Sequence, residues 1–265
     1  MGGAFSAVAD NADAPYWNPA GLAYIASSEI TTMQTKLSTD ADHYYVSYVQ
    51  PAFGGTLGIS WIQVGLGNIA QTSSEVDVHN EVQNLSIFSY FSNAYMVSYG
   101  REINDQVSFG LTAKYLTSDM FSISGGQANG YSITPGVLFR PVTGDRRQVT
   151  VGIKIDELVN QQTWGTNTTE PVPPKLRLGI AYRSPNPGLF AVDIVQTMRL
   201  GYSPELVAGY EYKHNGLSFR VGCGDGGITA GAGFATRQAR VDYAYVTQRD
   251  LSKDNVHRIS LSGIW

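Results

Sequence analysis

From about residue 28 to its last residue, Trp265, this chain alternates apolar and polar side chains with a period of two. That period belongs to extended strands whose two faces meet different surroundings. In 175–183, Leu176, Leu178, Ile180 and Tyr182 share one face; Lys175, Arg177, Gly179, Ala181 and Arg183 share the other. In 148–156, Val149, Val151, Ile153 and Ile155 oppose Thr150, Gly152, Lys154 and Asp156. The same pattern runs through Val107, Phe109 and Leu111, through Leu206, Ala208 and Tyr210, and through Val241, Tyr243 and Tyr245. Two architectures share it. A soluble sandwich turns the apolar face inward; a transmembrane barrel turns it outward to lipid and lines its lumen with small and polar residues.

Three features favour the barrel. The polar face is rich in Gly, Ser, Thr and Ala with scattered opposite charges, whereas a water-facing sandwich surface is richer in Lys and Glu. Aromatics stand at the ends of the apolar face (Tyr182, Tyr212, Tyr245, Trp265), where interfacial girdles belong. The third is strand parity. Strands are expected at 28–37, 41–50, 55–65, 94–102, 106–117, 129–140, 147–157, 174–183, 188–197, 204–213, 216–223, 227–234, 238–247 and 255–265. That is fourteen, an even number, as single-chain bacterial barrels have. Even-numbered connections are tight and rich in Pro, Asn, Asp and Gly: Pro51–Gly54, Ile103–Gln106, Pro141–Arg146, Ser184–Pro187, His214–Gly216 and Arg237. The longest connections, 66–93, 118–128, 158–173 and 248–254, are all odd-numbered. Long loops on one side and short turns on the other are the asymmetry of an outer-membrane barrel, with both termini on the turn side. Setting aside residues 1–27 leaves 238 residues, 17 for each strand with its connection, against the ~9–11 that a tilted spanning strand needs. No run approaches the ~18 consecutive apolar residues of a transmembrane helix, so a membrane location requires a closed barrel.

Composition narrows the function. Charged residues are 15% and the formal charge is −4, so no basic excess is available for a phosphate backbone and no nucleic acid is expected as a partner. The single cysteine, Cys223, excludes an internal disulfide framework and a cysteine zinc site. His43, His79, His214 and His257 form no metal-binding pair at i, i+4, and no Gly-x-Ser-x-Gly elbow is present. Gly222, Gly224 and Gly226 lack the Lys-Ser/Thr and helix of a nucleotide loop and read as a turn. No enzyme activity, cofactor or metal is expected.

The two ends differ from the rest. In the last strand Ile259 and Leu261 share a face with the terminal Trp265, which reads as the aromatic signal recognised by barrel-assembly machinery. The first residues, Met1-Gly2-Gly3-Ala4-Phe5, read like the interior of a longer precursor whose leader is removed or absent. Residues 1–25 do not alternate. Asn18-Pro19 offers a cap and a proline at the first helical position of a short helix through Ala23. A fourteen-stranded barrel is too wide for its wall side chains to fill. The expected organisation is therefore an N-terminal plug, residues 1–27, inside a barrel, residues 28–265.

The stretch 1–23, and Trp17-Asn18-Pro19-Ala20-Gly21-Leu22 above all, resembles the N-terminal segment of the FadL-like outer-membrane superfamily, closest in wording to its small PorV/PorQ-like branch. The resemblance implies an all-β, closed antiparallel barrel of about fourteen strands with a short helical plug, in a bacterial outer membrane with periplasmic termini. It implies Asp10, Asp13, Trp17, Asn18, Pro19, Ala20 and Gly21 as the plug motif. Passage of hydrophobic small molecules such as fatty acids, often through an opening near the third strand, is the FadL-like expectation. The alternative is a PorV-like barrel that transports nothing and docks a secreted or envelope protein. Partners are then outer-membrane lipids and either a hydrophobic small molecule or that protein. From the residues themselves, Asp10 and Asp13 are expected to pair with lumen arginines, and Lys154, Arg177, Arg220, Arg240 and Arg258 to face the plug. Trp61, Phe88, Tyr90 and Phe91 are candidates for ligand capture at the mouth; Ile87, Phe88, Tyr90 and Phe91 read equally as an interfacial girdle or as part of a longer fourth strand. The glycine-rich third strand, 54–61, marks either a kink for a lateral opening or crowding against the plug.

Overall fold

The computed structural model describes residues 1–37, 39–76, 79, 81–121, 123–144, 147–185, 187–224, 226–248 and 255–265. Fourteen antiparallel strands close into a ring: β1 (Glu29–Lys36), β2 (Asp42–Ala52), β3 (Gly55–Val76), β4 (Val82–Asn104), β5 (Val107–Met120), β6 (Gln127–Gly144), β7 (Arg147–Asp156), β10 (Lys175–Arg183), β11 (Gly188–Thr197), β12 (Glu205–His214), β13 (Leu217–Gly224), β14 (Gly227–Ala235), β15 (Ala239–Val246) and β16 (Val256–Ile264). Each pairs with its neighbour, and β16 returns to β1 through Glu29↔Ile264 to Thr35↔Arg258. A short hairpin, β8 (Val159–Trp164) and β9 (Thr169–Glu170), lies between β7 and β10 in sequence and pairs with the upper part of β6.

The apolar faces point away from the axis. Leu178 and Ile180 are 41% and 56% exposed, while Arg177, between Leu176 and Leu178, reaches inward to Asp193 and the N-terminal segment. The inner face holds the buried hydroxyls and charges: Ser47, Ser60, Ser98, Thr112, Thr134, Lys154, Asp193 and Glu211. A soluble protein reverses this arrangement; lipid as solvent requires it, because hydrocarbon makes no hydrogen bonds.

Tight turns cluster on one side. Phe53 and Gly54 (φ 55° and 72°) join β2 to β3, and Asn215 and Gly216 (φ 49° and 82°) join β12 to β13, the two-residue form with both central φ positive. Ser28 and Trp265 exchange backbone hydrogen bonds on that same side. The Pro141–Arg146 connection begins later than expected, since β6 runs through Gly144 and residues 145 and 146 lie outside the described residues. On the far side, 249–254 of the 248–254 connection also lie outside them.

Residues 66–76 and 82–93 are strand rather than loop. β3 and β4 are 22 and 23 residues long and stay paired through a bulge between Leu66 and Ile69, rising as a ribbon above the ring. Residues 118–128 are likewise shortened by the extension of β5 and β6, and 158–173 contain β8 and β9. Beyond the closed ring a two-stranded ribbon has no enclosed side, so the alternation that marks a wall strand fades while the backbone ladder persists.

Candidate functional site

Residues 1–27 run through the lumen. They contain one helical turn, α1 (Ala14–Trp17), and a 3₁₀ helix, Pro19–Tyr24. Ala4, Ala7, Ala9, Ala12, Ala14, Ala20 and Leu22 are enclosed, so small side chains let the backbone fold back on itself and lie flat on the wall. Wall glycines meet it. A Cβ on Gly110 would overlap the Pro19 backbone, and one on Gly136 would overlap the Asn18 side chain. Gly58 of β3 lies against Pro15, and β3 stays paired with both neighbours from Thr56 to Gly65. Crowding, rather than a kink, is what this glycine serves.

An irregular backbone inside a closed ring needs partners for its polar groups. Wall hydroxyls supply them: Tyr45 donates to Ala12 O (3.2 Å), Thr56 to Ile25 O (3.2 Å), Ser108 to Ala20 O (3.0 Å) and Thr112 to Pro15 O (3.2 Å). Asp193, fully buried, accepts from the backbone N–H groups of Phe5 (3.2 Å) and Ser6 (3.1 Å). Asn18 caps the 3₁₀ helix by accepting from Ala20 N (3.1 Å), and its amide donates to Ser6 O (2.8 Å) and Val137 O (3.3 Å). One side chain thus ties both arms of the segment to β6.

The expected lumen charges divide into groups. Lys154 donates to Tyr16 O and pairs with Asp156 at 2.6 Å. Arg177 donates to Gly3 O (3.2 Å), pairs with Asp193 and lies 5.4 Å from the Trp17 ring centroid. Arg220 and Arg240 bond wall acids instead: Arg220 bridges Glu211 and Asp242 at 2.5 Å each, and Arg240 bridges Glu29 (2.7 Å) and Asp242 (3.2 Å). Arg258 is exposed in the upper lumen, apart from the segment. Asp10 pairs with Arg183 at 3.2 Å. Asp13 makes no ion pair among the described residues. Its carboxyl lies in the N-terminal segment, outside the spanning strands, and is pushed up to about 6, chiefly by desolvation and also by Glu29 and Asp242 against Arg240. The sequence places Asp193 on the inward face, but its anchoring role and the individual wall hydroxyls were not singled out. Their signal was small polar residues recurring on the inward face.

The four mouth aromatics do not converge. Trp61 and Phe91 face outward, whereas Tyr90 reaches Ser118 on the inner face, with Phe88 on its side of β4. Trp61 instead lines an outward groove of about 530 Å³ across β2–β5, with Val46, Tyr48, Ile59, Tyr95, Val97 and Tyr115. Directly above lies a cup of about 410 Å³ lined by Gln63, Phe91, Asn93, Thr117, Asp119, Phe121, Gln127 and Asn129. A cavity beside the N-terminal segment, between Ala7, Val8, Arg140 and Arg183, is about 20 Å³, room for one water. Trp265 is exposed on the outside and stacks on Tyr48 with centroids 6.0 Å apart.

No protein-family model matches the chain, and no curated protein does. Solved structures match over almost its full length. The toluene transporter TbuX of Ralstonia pickettii is 14% identical with a TM-score of 0.66, covering all of this chain and 98% of that one. The toluene transporter TodX of P. putida is 12% identical at 0.60, covering 96% and 92%. A FadL homologue of Pseudomonas aeruginosa is 11% identical at 0.61, covering 99% and 95%. The fold is that of the FadL- and TodX-like outer-membrane barrels. At these identities the likeness is one of fold.

Proposed function

We propose that this protein is a bacterial outer-membrane barrel, with periplasmic termini, that binds hydrophobic small molecules and passes them across the wall. The groove on β2–β5 carries the reading. Its volume lies within the range of small-molecule sites, its lining is mainly aromatic and aliphatic, with Ser60 and Lys114 also bordering it, and it lies on the third and fourth strands. The fold neighbours named for toluene add the substrate class: small hydrocarbons. The N-terminal segment is the plug and residues 28–265 the barrel. The cavity between Ala7, Val8, Arg140 and Arg183 beside the plug, about 20 Å³, is too small for such a ligand.

Naphthalene titrated into the purified barrel in lipid nanodiscs tests this. Saturable binding is expected, weakened about tenfold by Tyr95→Ala through loss of aromatic contact area. Binding that does not saturate, or that ignores Tyr95→Ala, overturns it. A second reading, the PorV-like docking barrel, is favoured by the β3–β4 ribbon, which exposes Val82, Leu85 and Ile87 above the ring. It requires a stoichiometric protein that co-purifies with the barrel and is lost when 67–88 are deleted.

A further inference from the structure

We propose that the outer face of β3–β6 binds an uncharged, hydroxyl-rich amphiphile, a glycolipid of the surrounding leaflet, with its head in the amide cup and its chain in the groove below. The inference rests on the groove being a hydrophobic-ligand site, as read above, and adds the chemistry of the ligand's polar end.

The outward surface changes character at one height. Ile59, Val97 and Leu111 lie lower on β3, β4 and β5; four to six residues further up the outward positions become Gln63, Asn93 and Thr117. These are neighbours across the ladder: Gln63 pairs with Asn93, Asn93 with Thr117, and Thr117 with Asn129 on β6. Outward polar residues recur at this height elsewhere: Gln34 and Tyr44 continue the ladder row of Gln63, and Gln196 follows Ile194 on the outward face of β11. On β3–β6 they stand together directly above the apolar groove. Side-chain amides facing hydrocarbon are costly without partners, and these retain capacity beyond the bonds they make.

Two aromatic rings join cup and groove. Trp61 Nε1 donates to Asn93 Oδ1 (3.2 Å) and the Tyr115 hydroxyl to Asn129 Oδ1 (3.0 Å), while both rings line the groove. Phe91 and Phe121, edge to face at 5.8 Å, wall the cup. The lining residues of the cup include one charged side chain, Asp119, and no Lys or Arg. A phosphate or carboxylate head would meet that carboxylate with no cation to offset it. Sugar hydroxyls donate to Asp119 and to the amide oxygens, and accept from the amide N–H groups, with aromatic faces alongside.

Native mass spectrometry of the whole barrel, released from a polyoxyethylene detergent, tests this with two probes of equal chain length, dodecyl maltoside and dodecyl phosphate. One retained maltoside per barrel is expected, with dodecyl phosphate retained at least about tenfold less. Asn93→Leu should lower maltoside retention about tenfold, the loss of a charge-free hydrogen-bonding group with its partners stranded. Asp119→Lys should reverse the preference toward the phosphate, and it tests the cup independently should Asn93→Leu fail to fold. Equal retention of the two probes, indifference to both substitutions, or a dimer that excludes the maltoside overturns the proposal. Naphthalene binding followed on the same samples separates the failures. If it persists while head-group discrimination is absent, the hydrophobic site stands and the amphiphile falls; if it is absent from the unsubstituted barrel, the underlying reading falls.

Discussion

Asn18 makes three hydrogen bonds from an enclosed position, to Ser6 O and Ala20 N–H of its own segment and to Val137 O of β6. Asn18→Ala removes the Asn18 partner of Ala20 N–H and Ser6 O and cuts the link to Val137 O of β6, and is expected to weaken plug docking by about 2–4 kcal/mol. Limited proteolysis should then cut within 1–27 while the ring keeps its heat-resistant migration. Asp13 adds a pH dependence. Its carboxyl titrates near 6 in the docked segment, above the usual 3.8. The docked state therefore holds the extra proton. The stabilisation is complete below the ordinary value and is lost as pH rises through about 6. Spontaneous channel openings in planar bilayers should be rarer at pH 5 than at pH 8, and Asp13→Asn should abolish the difference. At this scale the sequence was partly legible. Asn18 before Pro19 announced a cap, because capping is local. Alternation turned Asp193 inward but could not name its partners, because Phe5 and Ser6 are 188 and 187 residues away.

Strand β10 shows how far alternation alone reaches. Its Leu178 lies on the outward face between Ile153 of β7 and Ile194 of β11. Leu178→Arg should cost about 2–4 kcal/mol of folding into liposomes if that position meets the middle of the bilayer. Leu178→Ala should cost far less, since lipid replaces the lost contact; a denaturant titration of the refolded barrel compares the two. The spanning strands were readable because two solvents, lipid outside and the packed lumen inside, select every second residue. β3 and β4 above Gly65 and Phe91 were not, because no lipid selects their outward face there, and Gln71 and Ser86 simply bond across the ribbon at 2.6 Å. Turn chemistry was local again: Asn215-Gly216 named its own hairpin.

Ring and plug are one closed system, and what the plug contributes appears when it is removed. Fourteen strands enclose more width than their inward side chains span, and the inward faces near the segment are glycines and small hydroxyls shaped to its backbone. Deleting residues 1–24 therefore uncovers a wide polar passage that no side chain of the wall is long enough to refill, and the truncated barrel is expected to hold a steady open conductance where the full chain is mostly closed. Its selectivity follows from the charges left behind. Arg183 loses Asp10, Arg177 loses Gly3 O, and Lys154 loses Tyr16 O, while Asp10 and Asp13 leave with the segment. The Glu29–Arg240–Asp242–Arg220–Glu211 chain stays internally paired on the wall. The opened lumen thus gains under-partnered cations and loses carboxylates, so its reversal potential in a salt gradient should show a preference for anions. Arg183→Glu in the truncated barrel should move that potential toward cations. A non-selective or cation-preferring pore in the simple deletion would mean that the lumen charges do not lie along the path the plug occupies.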